Sequence, residues 1–262
     1  MRRLLNPLAL AACVWLGVAA TAAAQADFEW NGQLAPGQRI EVIGLNGSIH
    51  ASASPGGNVV VTAVKTAGRR GNPADVRVEM VTNSNGVTVC VVYPAPAGQP
   101  DNQCRPGGGG GQNNRDNDTR VDFTVQVPTG VGLQARTVNG SIDARGLQSD
   151  TEATTVNGSV NLSTAGTARA TTVNGSIDAV MGRAVWPSGA KFTTVNGGVT
   201  LRLPASVNAD VRISTVSGGI QSDFPLQMSS DPGPKHAEGV LGGGGQRLDV
   251  TTVNGAITLL RN

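Results

Sequence analysis

Thr137-Val138-Asn139-Gly140-Ser141-Ile142 is repeated as Thr155-Val156-Asn157-Gly158-Ser159-Val160 and as Thr172-Val173-Asn174-Gly175-Ser176-Ile177. The hexapeptide returns in looser form at Thr194-Val195-Asn196-Gly197-Gly198-Val199, Thr215-Val216-Ser217-Gly218-Gly219-Ile220 and Thr252-Val253-Asn254-Gly255-Ala256-Ile257. Leu45-Asn46-Gly47-Ser48-Ile49 anticipates it upstream. From Asn139 the turn recurs after 18, 17, 22, 21 and 37 residues, the last step reading as two coils with an insertion between them. A period near 20 with β-branched residues and a fixed Asn-Gly turn predicts a β-solenoid, since helical repeats and propeller blades are longer. One short coil cannot bury its own apolar residues, whereas stacked coils pair backbones at ~4.8 Å and share a core. The expected fold is all-β, a β-solenoid with coils of 17 to 22 residues.

Residues two apart in a strand share a face. Ile142/Ala144, Val160/Leu162, Ile177/Ala179, Val199/Leu201 and Ile257/Leu259 are therefore assigned inward. The Val before each Asn (Val156, Val173, Val195, Val253) is also expected inward. Ala135, Ala153, Ala170, Phe192, Ile213 and Val250, three residues earlier, break the alternation that this requires, so a bulge near the Thr pair is expected. The Asn-Gly and Ser-Gly pairs (Asn46/Gly47, Asn139/Gly140, Asn157/Gly158, Asn174/Gly175, Asn196/Gly197, Ser217/Gly218, Asn254/Gly255) read as structural turns whose amides stack into ladders. Asn-Gly is also the strongest short hairpin signal, which makes an antiparallel β-sandwich the alternative fold.

Upstream, 27–135 is less regular. Strands are expected at 58–66, at 75–82 and 87–93 joined through Asn83-Ser84-Asn85-Gly86, and at 120–128, where Val121, Phe123, Val125 and Val127 alternate. The Gly- and Asn-rich stretch 99–119 reads as a mobile surface loop and 229–246 as an inserted loop within the regular coils of 136–262. Thirty-six glycines with 3% aromatics fit many tight turns and argue against gripping sugars or single strands by stacking.

Arg2, Arg3, the apolar run 8–20 and Ala24-Gln25-Ala26 have the layout of an export signal, with cleavage expected after Ala26. The apolar run is short for a membrane span. Cys13 lies early for a lipoprotein box, and the residues around Arg2-Arg3 lack the rest of a twin-arginine signal. The domain expected after cleavage is 27–262. Loss of Arg2 and Arg3 leaves 18 basic and 18 acidic residues, a neutral chain with no electrostatic footprint for nucleic acid or an anionic membrane and no span of its own. Of the remaining cysteines, Cys90 and Cys104 form the simplest pair in an oxidising compartment, an expected disulfide.

The entry Phe28-Glu29-Trp30-Asn31-Gly32, the Leu34-Ala35-Pro36-Gly37 turn, the Val127-Pro128-Thr129-Gly130 step and the T-V-N-G coils together resemble the bacterial "putative adhesin" β-solenoid family of unknown function, itself similar to head-GIN-type domains. The resemblance spans 27–262 and implies an exported, right-handed single-stranded β-helix (β-solenoid) without catalytic residues to carry over.

Polysaccharide lyases and hydrolases on β-helices need clustered carboxylates. Asp143 and Asp178 share one coil position, but Asn161 fills it in between, and Asp249 stands apart. Asp116-Asn117-Asp118 lacks the Gly and distal Glu of a calcium loop. Gly242-Gly243-Gly244-Gly245 leads into a strand, not the helix that a phosphate cradle needs. His50 and His236 are isolated, and the Thr pairs read as stacking ranks. No cofactor, metal or catalytic residue is expected. The expected role is a periplasmic or extracellular, adhesion-like or structural module whose partner is an envelope protein or glycan; the alternative is a glycan-acting enzyme.

Overall fold

The computed structural model describes residues 27–108, 114, 116–183, 186, 188–229 and 233–262. The export signal and cleavage site in 1–26, with Cys13, lie outside the described residues, as do parts of both glycine-rich stretches. The N-terminal part holds β1 (Phe28–Gly32), β2 (Arg39–Ile43), β3 (Ile49–Ala53), β4 (Val59–Thr66), β5 (Arg77–Asn83), β6 (Gly86–Val92) and β7 (Arg120–Val127). The repeat region follows with β8 (Gly132–Arg136), β9 (Ile142–Leu147), β10 (Thr151–Thr154), β11 (Val160–Thr164), β12 (Ala168–Thr171), β13 (Ile177–Met181), β14 (Ala190–Thr193) and β15 (Val199–Leu203). The chain ends with β16 (Ala209–Ser217), β17 (Ile220–Ser222), β18 (Gln227–Met228), β19 (Lys235–Leu241), β20 (Arg247–Asn254) and β21 (Ile257–Arg261). Among the described residues no helix is long and apolar enough to cross a membrane.

The strands form two sheets. One runs β1-β4-β7-β3-β9-β11-β13-β15-β21-β17 and the other β18-β19-β16-β20-β14-β12-β10-β8-β2-β6-β5. From β8 to β17 the chain alternates between them, one strand in each, and equivalent strands pair in parallel. The Asn-Gly corners form parallel bridges from Asn46 through Asn139, Asn157, Asn174 and Asn196 to Asn254. In an antiparallel sandwich successive turns would alternate between opposite ends, so that alternative is overturned. Ile49, Ile142, Val160, Ile177, Val199 and Ile257 stand in register and are buried, a continuous core column drawn from coils that each carry only a few apolar residues.

The coils are not stacked in chain order. The first, β2–β3, lies between β6–β7 and β8–β9. The last, β20–β21, lies between β14–β15 and β16–β17. This accounts for the long final step of the repeat. The coil carrying Ser217 is laid down one place too far along the stack, and the C-terminal coil fills the gap. Antiparallel strands cover the stack beyond β6–β7 and β16: β4 with β1, β5, and β19 with β18. Covered edges no longer offer a long unpaired ladder to other chains.

Three expectations need correction. The Val before each Asn is not in the core: Val156 and Val173 are each 37% exposed, Val195 and Val253 are half-buried, and the equivalent Val216, before Ser217, is 55% exposed. The inward position belongs to the second Thr, and Thr137, Thr155, Thr172, Thr194, Thr215 and Thr252 are all buried. Alternation therefore runs unbroken from Ala153 to Thr155 and from Phe192 to Thr194, and no bulge is needed there. The stretch 229–246 is not simply a loop, because Lys235–Leu241 pairs along β16 from Thr215 to Ala209 and buries Ala237 and Leu241. The described residues of 99–119 form an exposed or half-buried surface loop without strands, anchored by the buried Cys104, Asn117 and Thr119.

Candidate functional site

The repeated corner is one interaction set used many times. The Thr155 hydroxyl donates to the Gly140 carbonyl of the adjacent coil at 2.8 Å, and Thr172 does the same to Gly158 and Thr194 to Gly175. Thr137 reaches Gly47, Thr252 reaches Gly197 and Thr215 reaches Gly255. The glycine of the same coil lies against the same oxygen. A Cβ on Gly158 would fall on the Gly140 carbonyl, one on Gly255 on that of Gly197, and one on Gly218 on that of Gly255. Glycine is required here by close approach of two backbones rather than by a left-handed φ. The spacing T-x-x-G places a donor and a bare Cα on one acceptor.

Outside this contact runs the asparagine ladder. Asn139 Nδ2 donates to Asn46 Oδ1 at 2.8 Å, and Asn157, Asn174, Asn196 and Asn254 continue it, each donating to the preceding rung at 2.8–2.9 Å. Ser217 takes the next position beyond Asn254. At the other end Asn46 hydrogen-bonds the hydroxyl of Tyr93, which donates to the Thr119 carbonyl. Burial pushes the Tyr93 hydroxyl up to about 12, partly offset by the hydrogen bonds from Asn46. Tyr93 thus closes the ladder, a role for which the sequence offers only that this is the sole tyrosine.

Other sequence-singled residues also have structural partners. Asp143 and Asp178 lie in one row on the outside of the first sheet with Asn161 between them. Each faces an arginine, Asp143 with Arg145 at 2.6 Å and Asp178 with Arg202 at 2.9 Å. Asp249 lies on the other sheet, 3.9 Å from Arg247. Asp118 accepts the Arg69 and Arg70 backbone N–H groups, and the Arg70 bond chiefly holds its carboxyl below the usual range. Asn117 bonds the Asn72 carbonyl, and Asp116 lies 3.8 Å from Arg70. The Asp-Asn-Asp triplet is thus a turn brace. Among the described residues no three or more His, Cys, Asp or Glu come together as a metal site.

Cys90 and Cys104 are disulfide-bonded with Cα atoms 5.4 Å apart. The bridge ties the segment after β6 over the outside of the second sheet, where Ile43, Val92 and both cysteines make a small second core. Beside it the buried Glu41 accepts from the Thr88 hydroxyl at 2.8 Å and from the Gly107 N–H at 2.9 Å. This carboxylate clamps the loop, and nothing in the local sequence singles it out.

An open cleft of about 490 Å³ lies where the chain enters β2, β8, β10 and β12. Arg39, Asp150, Glu152 and Arg169 line it, with Ser149 and Thr167. Asp150 accepts the Thr167 N–H at 2.8 Å, Glu152 lies 3.6 Å from Arg136, and Arg169 donates to the Ser188 carbonyl. The β2 coil contributes Arg39, the β10 coil Asp150 and Glu152 and the β12 coil Arg169, with only Gly130, Gly132 and Leu133 from the β8 coil between, so the cleft presents charges of both signs along the stacking direction.

A family model described as Toastrack DUF4097 matches residues 57–260. The chain belongs to the Toastrack DUF4097 family. No curated protein matches it. Two crystal structures are similar to this Toastrack chain. One is a "putative cell adhesion protein" from Clostridium sporogenes ATCC 15579, with 10% identity, 90% of this chain and 99% of that chain covered, and a TM-score of 0.47. The other is a "putative adhesin" from Bacteroides fragilis NCTC 9343, with 10% identity, 90% and 96% covered, and a TM-score of 0.36. At such scores neither likeness bears on the function of the Toastrack domain.

Proposed function

We propose that this Toastrack chain is exported, loses 1–26, and works as a single non-enzymatic domain over 27–262, an adhesion-like or structural binding module of the cell envelope. Its coils wind right-handed, the hand that twisted parallel strands impose on their crossovers. The ligand is an envelope glycan or protein, held in the cleft across β2, β8, β10 and β12. The observation that carries this reading is the cleft's construction. Arg39, Arg169, Asp150 and Glu152 come from three coils of the stack, β2, β12 and β10, and offer charged contacts along an extended ligand. The repeated residues are engaged with each other at the corners between coils. The protein starting at Asp27 should capture a partner from envelope extract, and Arg39→Ala with Arg169→Ala should lose it. Capture unchanged by that variant would remove the cleft from the account. Mass spectrometry of the exported protein should find Asp27 first, and an acylated Cys13 would contradict it.

One observation favours a second reading, a glycan-acting enzyme: Asp150 and Glu152 line the same cleft. Glycoside cleavage uses paired carboxylates. Each here already has a partner, which supports binding over cleavage. Release of reducing ends from envelope polysaccharide, lost in Glu152→Gln, would reverse that preference.

A further inference from the structure

The C-terminal coil fills an interior slot. β20 lies between β14 and β16, and β21 between β15 and β17. A coil leaving the end of a stack exposes one edge. This coil would leave two edges facing each other across about twice the ~4.8 Å strand spacing. It would also strip Leu248, Val250, Ile257 and Leu259, all fully buried, of their cover. Closing the slot by moving β16 onto β14 would leave those four side chains in water.

We propose that the C-terminal coil is exchanged between two copies of this chain, so that the slot of each copy receives β20–β21 of the other. The occupant is set by the fit. The slot supplies the Gly197 carbonyl to the Thr252 hydroxyl and Asn196 Oδ1 to Asn254 Nδ2 on one wall, and the Thr215 hydroxyl to the Gly255 carbonyl on the other. A T-V-N-G coil answers all three, and a second copy carries one in the right register. Every contact of the closed chain is made again in the exchanged pair, so exchange costs no contact outside the hinge. Reciprocal exchange closes with two-fold symmetry.

The chain before the coil is built as a hinge. Residues 242–246 are four glycines and a glutamine between β19 and β20. Gly242, Gly244 and Gly245 have φ of 56°, 69° and 113°, the left-handed region that only glycine enters freely. The turn is held by the Gly243 N–H on Asn208 Oδ1 at 2.8 Å and the Gly244 N–H on the Leu241 carbonyl at 3.0 Å. Straightening it gives up only a few such bonds, and a shorter turn would disfavour the closed chain.

In-register cysteines test the exchange. Lys191 and Asp249 are neighbours on the outer face of β14 and β20. A chain carrying Lys191→Cys and Asp249→Cys together should oxidise within itself when dilute and yield a covalent dimer when unfolded and refolded concentrated. Two chains, one with each substitution, should cross-link to each other after joint refolding. Removing Gly243 and Gly244 should raise the dimer fraction several-fold. The proposal is overturned if the double-cysteine chain closes only on itself and the single-cysteine chains never join at any concentration. Failure of the double-cysteine chain to cross-link at all would overturn the slot itself.

Discussion

The Thr155 hydroxyl and the Cα of Gly158 meet on one atom, the Gly140 carbonyl oxygen of the adjacent coil. The same pairing of a threonine and the glycine three residues on recurs at Thr172 with Gly175 and at Thr194 with Gly197. It explains why the hexapeptide is kept while the residues between repeats vary in number. Donor, acceptor and bare Cα must all sit at one corner for two coils to approach.

Gly158→Ala should therefore cost about 1–3 kcal/mol or more, because the new methyl meets backbone that cannot rotate away. Thr155→Val keeps the volume and removes the donor, and should cost about 1 kcal/mol. Denaturant unfolding of both variants ranks them. Equal and negligible losses would show that the corner does not hold the coils together.

Ile177→Ala should destabilise by about 2–5 kcal/mol, since its neighbours in the column, Val160 and Val199, belong to coils fixed by their own ladders. Val173→Ala, on the exposed side of the same coil, should fall within about 0.5 kcal/mol of the unaltered protein. Comparable losses at Ile177 and Val173 would place the core on the wrong face.

Tyr93 is the sole tyrosine, so an ultraviolet titration reads it alone. Its midpoint should lie near 12 in the folded protein, against 10.0 for an unhindered tyrosine. The folded value is the higher one. The stability this contributes is whole below pH 10 and declines as the pH rises through about 12, by roughly 3 kcal/mol in all. A midpoint at 10 with folding intact would show that the ladder does not end on a buried hydroxyl.

Reduction of the Cys90–Cys104 bridge should lower stability by about 3 kcal/mol through the unfolded chain, on the loop-entropy model. A double Cys→Ser variant should behave as the reduced protein does. Indifference of the unfolding midpoint to reductant would remove the bridge from the account of how the 93–104 segment is held.

The hexapeptide makes the stacked corner legible because a stack needs the same residues at the same place in every coil. Ile142, Val160 and Ile177 are equally legible from period-two spacing. The outward valines mislead because Val is the more apolar neighbour and Thr the one that looks soluble. Position decides against hydrophobicity, since a buried hydroxyl has an acceptor waiting on the next coil. Coil order leaves no trace in local sequence. Ser217-Gly218 and Asn254-Gly255 are equivalent corners, and only pairing over long range tells which lies against Asn196. Glu41, Asp150 and Glu152 carry no local signal for a related reason, since each acquires its setting from chain distant in sequence.

The interleaved order is the claim on which the ladder, the core column and the exchange all depend, and it has a direct measurement. Thr200 neighbours Thr258 on the outer face of β15 and β21, while Gln221 lies one strand further on, next to Thr258. Thr200→Cys with Thr258→Cys should oxidise readily in the folded chain, and Thr200→Cys with Gln221→Cys should not. Rapid disulfide formation in the Thr200→Cys, Gln221→Cys chain, with none in the Thr200→Cys, Thr258→Cys chain, would mean that the coils stack in chain order and would contradict the structure described.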